Sequence, residues 1–348
     1  MRYYAGLDIS MKETFVCVVD EKGKKFCEKS VSTDPSTIAS FIHGLEIPIE
    51  VAGLESGSLS HWLTEELQRL DVPVKCIDAR HAAAILSVNI NKTDKNDARG
   101  IADAMRCNMY REVSIKSKEH IALCTLLNSR RQLVDQRVQL SGCIRGLLKP
   151  YGIRLGALSK GVGAIDIIKE KLSQIPSVAA KSIEQLLCVL KDLLEAIKNF
   201  DREITKQVKE YPQAQLLMTI PGVGPITSLR FLAEIGNASR FSRSKSVGAY
   251  VGMTPRQYSS GETQKQGRIS KCGPKELRCL LMEVGVVILT RTKSWSKLKA
   301  WGLKLLRKHG IKKASTAVGR KLAVIMHRML ITGETFKFTD LETMVKAA

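Results

Sequence analysis

Four acidic residues in the first hundred positions have types and spacing suited to binding metal ions. Asp8 ends a β-rich run in the segment GLDIS, and Glu55 ends another in GLESG. If these strands neighbour each other in one sheet, the two carboxylates meet at its edge. Asp94 and Asp97 lie three residues apart at the start of a predicted helix, so both project from the same helix face. We therefore predict that four carboxylates converge.

Such a cluster predicts a site for divalent cations. Unpaired carboxylates this close raise one another's pKa, and a hard cation with oxygen ligands removes the repulsion. Magnesium is the ion we expect, and two ions about 4 Å apart can orient a phosphodiester and stabilise charge on its oxygens. A single acid at a strand end is more often a solvated turn residue, so the prediction depends on the whole set.

A second group of reactive residues lies within residues 251–281. Ser259 and Ser260 precede Gly261, where the missing side chain allows close backbone approach. A serine hydroxyl among cations is suited to attack on a phosphodiester, because the transition state gathers negative charge. The segment contains no histidine, which argues against a Ser-His-Asp hydrolase, and a phosphate-binding loop is the alternative interpretation. The nucleic-acid contacts predicted around the serines are Arg256, Lys265, Arg268, Lys271, Lys275 and Arg278.

The segment PGVGP at residues 221–225 separates two helical patterns and predicts a glycine turn of the helix-hairpin-helix type. Backbone N–H groups near Gly222 and Gly224, and at the start of the following helix, can hold a phosphate without reading sequence. A purely structural tight turn is the alternative.

The charge of the chain points to a polyanionic partner. The 348 residues carry a formal charge of +21, and residues 211–348 hold 24 Lys or Arg against 7 Asp or Glu. An excess of this size attracts nucleic acid and makes the C-terminal part its main contact surface. A basic protein that is merely soluble or ribosome-associated is the plainer interpretation.

The elements that must position the acids follow the order βββαβαβα. Strands are predicted at residues 3–8, 14–19 and 24–31, followed by a helix after Asp34 and a strand from Ile49 to Leu54. A helix at 59–70, a strand at 72–77 and a helix at 79–88 complete the pattern. This order is typical of RNase-H-like α/β folds, in which helices cover a central mixed sheet.

Two long helices are predicted next, at about 116–149 and 182–208, with a turn region at 152–164. They form either an antiparallel coiled-coil arm or part of an ordinary bundle. We therefore predict three domains, an RNase-H-like domain at 1–115, a helical arm at 116–210 and a mainly helical, basic domain at 211–348.

Composition excludes several other classes of protein. The nine cysteines lack metal-ligand spacing, so we expect reduced, mostly buried thiols and no zinc site. The chain has no long apolar run and no signal-peptide pattern at its start, which predicts a cytoplasmic, nucleoid-associated protein without membrane contact.

Taken together, GLDIS, GLESG, the KTDxxDA segment at 92–98, IPGVGP and GMTPRQYSSG…GRISKCGPKELR resemble the DEDD transposases of bacterial insertion sequences, the IS110 family, in the form of its IS1111 branch. The resemblance covers nearly the whole chain in the same order. It implies a RuvC-like domain with Asp8, Glu55, Asp94 and Asp97 on Mg²⁺, and a nucleophilic serine before a glycine. That serine maps best onto Ser260, with Ser259 as the alternative.

The same resemblance implies partners. In the family, a non-coding bridge RNA from the element pairs with donor and target DNA, and protein dimers assemble into a tetramer. The serine of one subunit then completes a site with the carboxylates of another. We thus expect a recombinase that cuts and rejoins DNA through a phosphoserine. The rivals are a RuvC-like nuclease that uses water and a non-enzymatic nucleic-acid-binding protein.

Overall fold

The structure is a computed structural model that divides into two compact units, the N-terminal unit Met1–Lys116 and the C-terminal unit Ser117–Ala348. It describes residues 1–87, 91–155, 163–260 and 262–338. The first boundary lies beside the predicted one at residue 115, whereas a separate domain for the helical arm stays a prediction.

The N-terminal unit is a five-stranded mixed sheet with helices on both faces. Its strand order is β3-β2-β1-β4-β5, with β2 antiparallel to both neighbours and β4 and β5 parallel to β1. The predicted α/β pattern is confirmed, and α4, the helix predicted to start at Asp94, follows the eight elements of that pattern. The elements are β1 (Tyr3–Ile9), β2 (Glu13–Asp20), β3 (Lys25–Ser32), α1 (Pro35–His43), β4 (Ile49–Glu55), α2 (Ser60–Arg69), β5 (Val74–Ile77), α3 (Ala79–Leu86) and α4 (Asp94–Arg106).

Local sequence explains where several of these elements begin. The Asp34 carboxylate accepts a hydrogen bond from Thr37 N (2.8 Å), and Pro35 occupies the first turn, so α1 starts there. The β2–β3 turn closes on Asp20, whose carboxylate accepts from the backbone N–H groups of Lys22 and Lys24. Helices α1 and α2 cover one face of the sheet, and α4 covers the other.

The C-terminal unit is mainly helical, as predicted, but it also contains a two-stranded β-hairpin. The hairpin pairs β6 with β7 in antiparallel register. The elements are α5 (Lys118–Leu148), α6 (Gly163–Lys171), α7 (Ser177–Glu210), α8 (Pro212–Met218), α9 (Pro225–Ile235), α10 (Lys245–Tyr250), β6 (Pro255–Ser260), β7 (Thr263–Ile269), α11 (Lys275–Thr290) and α12 (Lys297–Thr332).

The two predicted long helices, α5 and α7, run antiparallel. The start of α5 and the end of α7 share the large core of the unit, whereas the end of α5 and the start of α7 share a smaller one. Between these cores, Arg130 Nε donates to Asp201 Oδ1 (2.6 Å) across the helix pair. Of the predicted turn region, residues 156–162 lie outside the described residues.

Two predictions from composition concern membrane-spanning helices and the burial of the cysteines. In the part of the chain that is described, no helix is long and apolar enough to cross a bilayer. The cysteines are free, but the prediction that most are buried is wrong. Only Cys17 and Cys76 are buried, and Cys107, Cys143 and Cys188 are exposed. Both buried thiols lie in strands of the sheet, whereas Cys143 and Cys188 lie within α5 and α7 and Cys107 directly follows α4.

Candidate active site

The segments GLDIS and GLESG each place an acid at the same edge of the N-terminal sheet. Strands β1 and β4 are parallel neighbours, and Leu7 lies opposite Leu54, so Asp8 and Glu55 follow at the same level. Side chains alternate along a strand. Each leucine is therefore fully buried on one face, and each acid shares the other face with the glycine two residues before it.

Those glycines allow α4 to lie directly on the sheet. A Cβ at Gly6 would overlap the carbonyl oxygen of Ala98, and one at Gly53 would lie 2.6 Å from Met105 Sδ. Any side chain at Gly6 would push the helix backbone away. In each segment the glycine thus allows α4 to pack closely on the sheet, and the acid two residues later lies on the same face of the sheet.

The first turn of α4 brings the other two acids. Thr93 caps the helix by accepting a hydrogen bond from Asn96 N (3.2 Å), which makes Asp94 the first helical residue. Asp94 is exposed, whereas Asp97, one turn on, is only 8% exposed. Negative charge is favourable at a helix N-terminus, so the helix stabilises both carboxylates.

The electrostatics indicate that the acids act on one another. Burial raises the pKa of Asp8 to about 6, and the charges of Asp94, Asp97 and Glu55 add to the rise. Burial also raises the pKa of Glu55, where Lys92 opposes the shift and Asp97 adds to it. The structure thus brings the predicted acids into one electrostatic neighbourhood, with Lys92 as the cation that acts on both strand-end carboxylates.

The donor set fits a hard cation. An open cavity of about 450 Å³ lies beside Asp8 and Glu55, bounded by the loops at 9–11 and 56–60. Carboxylate oxygens with raised pKa values are ligands that Mg²⁺ accepts and that its charge would keep ionised. Within the described residues, no three Asp, Glu, His or Cys side chains are arranged to hold an ion as they stand. Binding would therefore require rotation of these side chains.

Ser259 and Ser260 lie on opposite faces of the β6–β7 hairpin, which we call the ribbon. In its register Tyr258 faces Lys265, and Ser259 faces Gln264. Because side chains alternate, Ser260 shares a face with Tyr258 and Lys265. Ser259 instead lies on an amide-rich face, where its Oγ accepts a hydrogen bond from Gln257 Nε2 (3.3 Å). Gly261, which the sequence analysis placed beside the nucleophile, lies outside the described residues.

The ribbon is anchored only at its base. Ser270 N donates to Thr254 O (2.8 Å), and Lys271 N donates to Gly252 O (3.0 Å). Every residue of β6 is exposed, and Tyr258 is 56% exposed. A polar, two-stranded ribbon with a projecting aromatic ring is shaped for a nucleic-acid groove or an unstacked base.

Five of the six predicted cationic contacts are exposed on or beside the ribbon, and Arg278 is the exception. Its side chain is buried in α11, where Nη1 donates to the carbonyl oxygens of Val251 (3.1 Å) and Gly273 (3.5 Å). These bonds fasten the start of α11 to the loops below the ribbon. The prediction that Arg278 contacts nucleic acid is therefore wrong. The exposed residues are Arg256, Lys265, Arg268, Lys271 and Lys275.

The PGVGP turn joins α8 to α9. Gly222 adopts a φ of +87°, and a Cβ there would lie 2.9 Å from Val287 Cγ1, so packing against α11 already requires glycine. Gly224 caps α9 and has open space where a Cβ would be. The turn thus has a structural role at Gly222, and phosphate binding at Gly224 stays a prediction.

Sequence reasoning missed two parts of this site. Lys92 is the first residue of the KTDxxDA segment, but no function was predicted for it. Its position two residues before Asp94 could have indicated a cation beside the acid cluster. The ribbon was also missed, although Ser-Gly between polar residues that alternate marks a hairpin turn.

Comparison with known proteins gives two family matches and several relatives. A DEDD transposase model of the IS110 type matches residues 5–153, and one described as "Transposase IS116/IS110/IS902 family" matches residues 214–300. The transposase for insertion sequence element IS1111A of Coxiella burnetii is 31% identical, over 95% of this chain and 90% of its own length. A probable family 20 transposase of Pseudomonas aeruginosa is 27% identical, over 93% and 96%.

Two further matches are partial. A pilin gene-inverting protein of Moraxella bovis is 35% identical over 99 residues, which is 27% of this chain and 31% of that protein. The RuvC structure of Thermus thermophilus overlaps 32% of this chain and 99% of its own, with 14% identity and a TM-score of 0.24. The fold assignment therefore stands on the sheet topology, and the family on the full-length relatives. The chain belongs to the IS116/IS110/IS902 family of transposases.

Proposed function

We propose that this transposase cuts and rejoins DNA through Ser260, with Asp8, Glu55, Asp94 and Asp97 as ligands of two Mg²⁺ ions. The observation that carries the choice of nucleophile is the ribbon register, because Ser260 lies on the same face as Lys265, whereas the residue opposite Ser259 is Gln264. Phosphate approaching that face meets Lys265, and Tyr258 can support an adjacent base.

The proposed reaction conserves the phosphodiester bond energy. The Oγ of Ser260 forms a bond to phosphorus as the bond from phosphorus to one sugar oxygen breaks, and that oxygen leaves with the serine proton. A hydroxyl of another strand then attacks the phosphoserine, which restores the serine and seals the new strand. When bound, Mg²⁺ would stabilise negative charge on the phosphate oxygens.

The remaining parts of the proposal come from the family. We propose donor and target DNA as substrates, a bridge RNA as guide, and dimers that assemble into a tetramer. The composition supports recognition of the DNA sequence by base pairing with an RNA rather than by protein side chains. The chain is rich in cations suited to phosphate but is only 5% aromatic. The exposed cations beside the ribbon would position the nucleic acid without reading it.

A denaturing-gel assay for a covalent protein–DNA adduct tests the chemistry. Purified protein is incubated with Mg²⁺, the flanking non-coding RNA and donor DNA. We expect an adduct in the wild type and in Ser259→Ala, and no adduct in Ser260→Ala or Asp8→Asn. An adduct that is lost only in Ser259→Ala would identify Ser259 as the nucleophile. Free nicked DNA that Ser260→Ala leaves undiminished would instead support the water-using nuclease.

Two controls separate guide and metal from folding. Omitting the RNA tests the guide, and replacing Mg²⁺ by EDTA tests the metal. The two serine variants on the ribbon should keep the wild-type free energy of unfolding within about 0.5 kcal/mol, since exposed substitutions there remove no core contact.

A further inference from the structure

The helix α12 is a hairpin of two helices rather than one rod. Gly310 has φ +75° and ψ 170°, a conformation that is essentially restricted to glycine. A Cβ on Gly302 would lie 2.6 Å from Val318 Cγ2, and Lys321 Nζ lies 3.9 Å from the centre of the Trp301 ring. At 1.5 Å per residue, these pairs would be roughly 24 and 30 Å apart in a straight helix. The chain therefore reverses at Gly310.

The turn of this hairpin, residues 307–313, forms a cationic tip, which we call the basic tip. Its sequence is RKHGIKK, and every residue in it is exposed. The apolar residues that hold the hairpin to the core, such as Leu298 and Val318, lie away from the turn along each helix. Within the described chain, Arg307, Lys308, Lys312 and Lys313 form no ion pair.

A solvated helix face does not explain this composition. Helix α7 is equally long and exposed, and it contains six Lys or Arg and six Asp or Glu. Helix α12 contains ten Lys or Arg and no Asp or Glu. Four like charges within seven residues repel one another and raise the local positive potential, which attracts a polyanion.

We propose that the basic tip binds the phosphodiester backbone of a nucleic-acid duplex, independently of sequence. The proposal rests on the proposed function, and it adds a contact surface outside both the ribbon and the matched segment 214–300. Lysine and arginine on a protruding turn contact phosphates as point charges, so they set position and affinity rather than specificity.

Fluorescence anisotropy with labelled 30-base-pair DNA and RNA duplexes of arbitrary sequence tests this surface over a range of salt concentrations. The full chain carries Ser260→Ala throughout, so that binding is read without strand cutting. The test variant is R307Q/K308Q/K312Q/K313Q. The matched control K191Q/K198Q/K206Q/K209Q removes the same charge from exposed positions of α7, where acids are interspersed.

We expect the tip variant to bind at least about a hundredfold more weakly at 100 mM salt, with the slope of log K against log salt lower by about 3.6, which is about 0.9 for each of the four cations removed. The α7 control should stay within about threefold of the parent, and thermal midpoints should match. Comparison of the affinities for the DNA duplex and the RNA duplex shows which of them the tip binds more tightly.

Three results would overturn the proposal. These results are equal binding of the tip variant and the parent, an equal loss of affinity in the α7 control, and a requirement for the tip only in binding to vesicles that contain phosphatidylserine, which would assign it to a membrane surface. Tip-dependent binding together with a missing covalent adduct would overturn only the proposed chemistry. A parent chain that binds neither duplex would overturn both.

Discussion

Asp8 and Glu55 lie at the ends of strands that place Ala5, Leu7, Ala52 and Leu54 in the core of the N-terminal unit, whereas every β6 residue of the ribbon, including Ser260, is exposed. The acids are therefore held by packing on both sides of a sheet. The serine is held only by backbone pairing and by the hydrogen bonds at the base of the ribbon. Substitutions in the packing around the acids should lower the free energy of unfolding. Substitutions on the ribbon should impair DNA binding or strand cutting and leave the free energy of unfolding unchanged.

The largest effect should come from Gly6→Ala. The new Cβ would overlap the backbone of α4, which cannot rotate away as a side chain can, so α4 must leave the sheet. We expect a loss of about 3 kcal/mol or more in the free energy of unfolding, measured by urea denaturation. Gly57→Ala, in the loop after Glu55, is the matched control, because nothing lies within 4 Å of its Cβ position. Equal stability of the two variants would contradict the role given to Gly6.

Arg278→Met tests the boundary between core and ribbon. Methionine preserves the packing of the stem but removes the hydrogen bonds to the carbonyls of Val251 and Gly273, so we expect a loss of about 2 kcal/mol. Arg268→Met, on the exposed ribbon, should change the unfolding free energy by less than about 0.5 kcal/mol. If both arginines behave alike, Arg278 does not fasten the ribbon base.

The pH dependence of stability should distinguish Asp8 from ordinary surface acids. Its folded pKa of about 6 lies above its unfolded value near 3.8, so the charged carboxylate destabilises the fold as pH rises through this range. In EDTA at pH 8, Asp8→Asn should therefore raise the free energy of unfolding by about 1 kcal/mol, after allowance for solvent screening at this half-buried position. At pH 3.5 the two proteins should unfold alike.

Magnesium gives the complementary result. At pH 8, added Mg²⁺ should raise the thermal midpoint of the wild type but not that of Asp8→Asn, because binding to the folded state alone stabilises it. If the difference in unfolding free energy between Asp8→Asn and the wild type does not grow between pH 4 and pH 7 in EDTA, the interpretation of the acid cluster is wrong.

The smallest stability effects should occur on the ribbon itself. Lys265→Gln and Arg268→Gln should each lower the salt slope of DNA binding by about 0.9 and leave thermal unfolding unchanged. Anisotropy titrations at several salt concentrations measure the first, and differential scanning calorimetry the second. A ribbon that melts earlier after either change would mean that it is packed rather than free.

Much of the N-terminal unit could be predicted because its signals are local. Short β-rich runs and the EKGK turn at 21–24 locate the strands, and Asp34 with Pro35 starts α1 where the pattern indicated. The acids were found because GLD and GLE recur at strand ends. The glycines beside them carried equal information, but their role depends on a helix forty residues or more away in sequence.

The C-terminal unit was less predictable for the same reason. The long helices follow from apolar periodicity, whereas the reversal at Gly310 is evident only from contacts between the two halves of α12, such as Gly302 with Val318. Arg278 looks like its cationic neighbours in the sequence, and only the fold buries it.

The sequence by itself determined the order of strands and helices in the N-terminal unit, the positions of the acids and the serines, and the concentration of positive charge toward the C-terminus, because periodicity, residue type and charge are properties of short segments. Tertiary structure decided which face of the ribbon holds Ser260, which arginine is buried, how closely α4 approaches the sheet, and where α12 reverses. Each of these depends on which distant residues come into contact, and no local pattern encodes that.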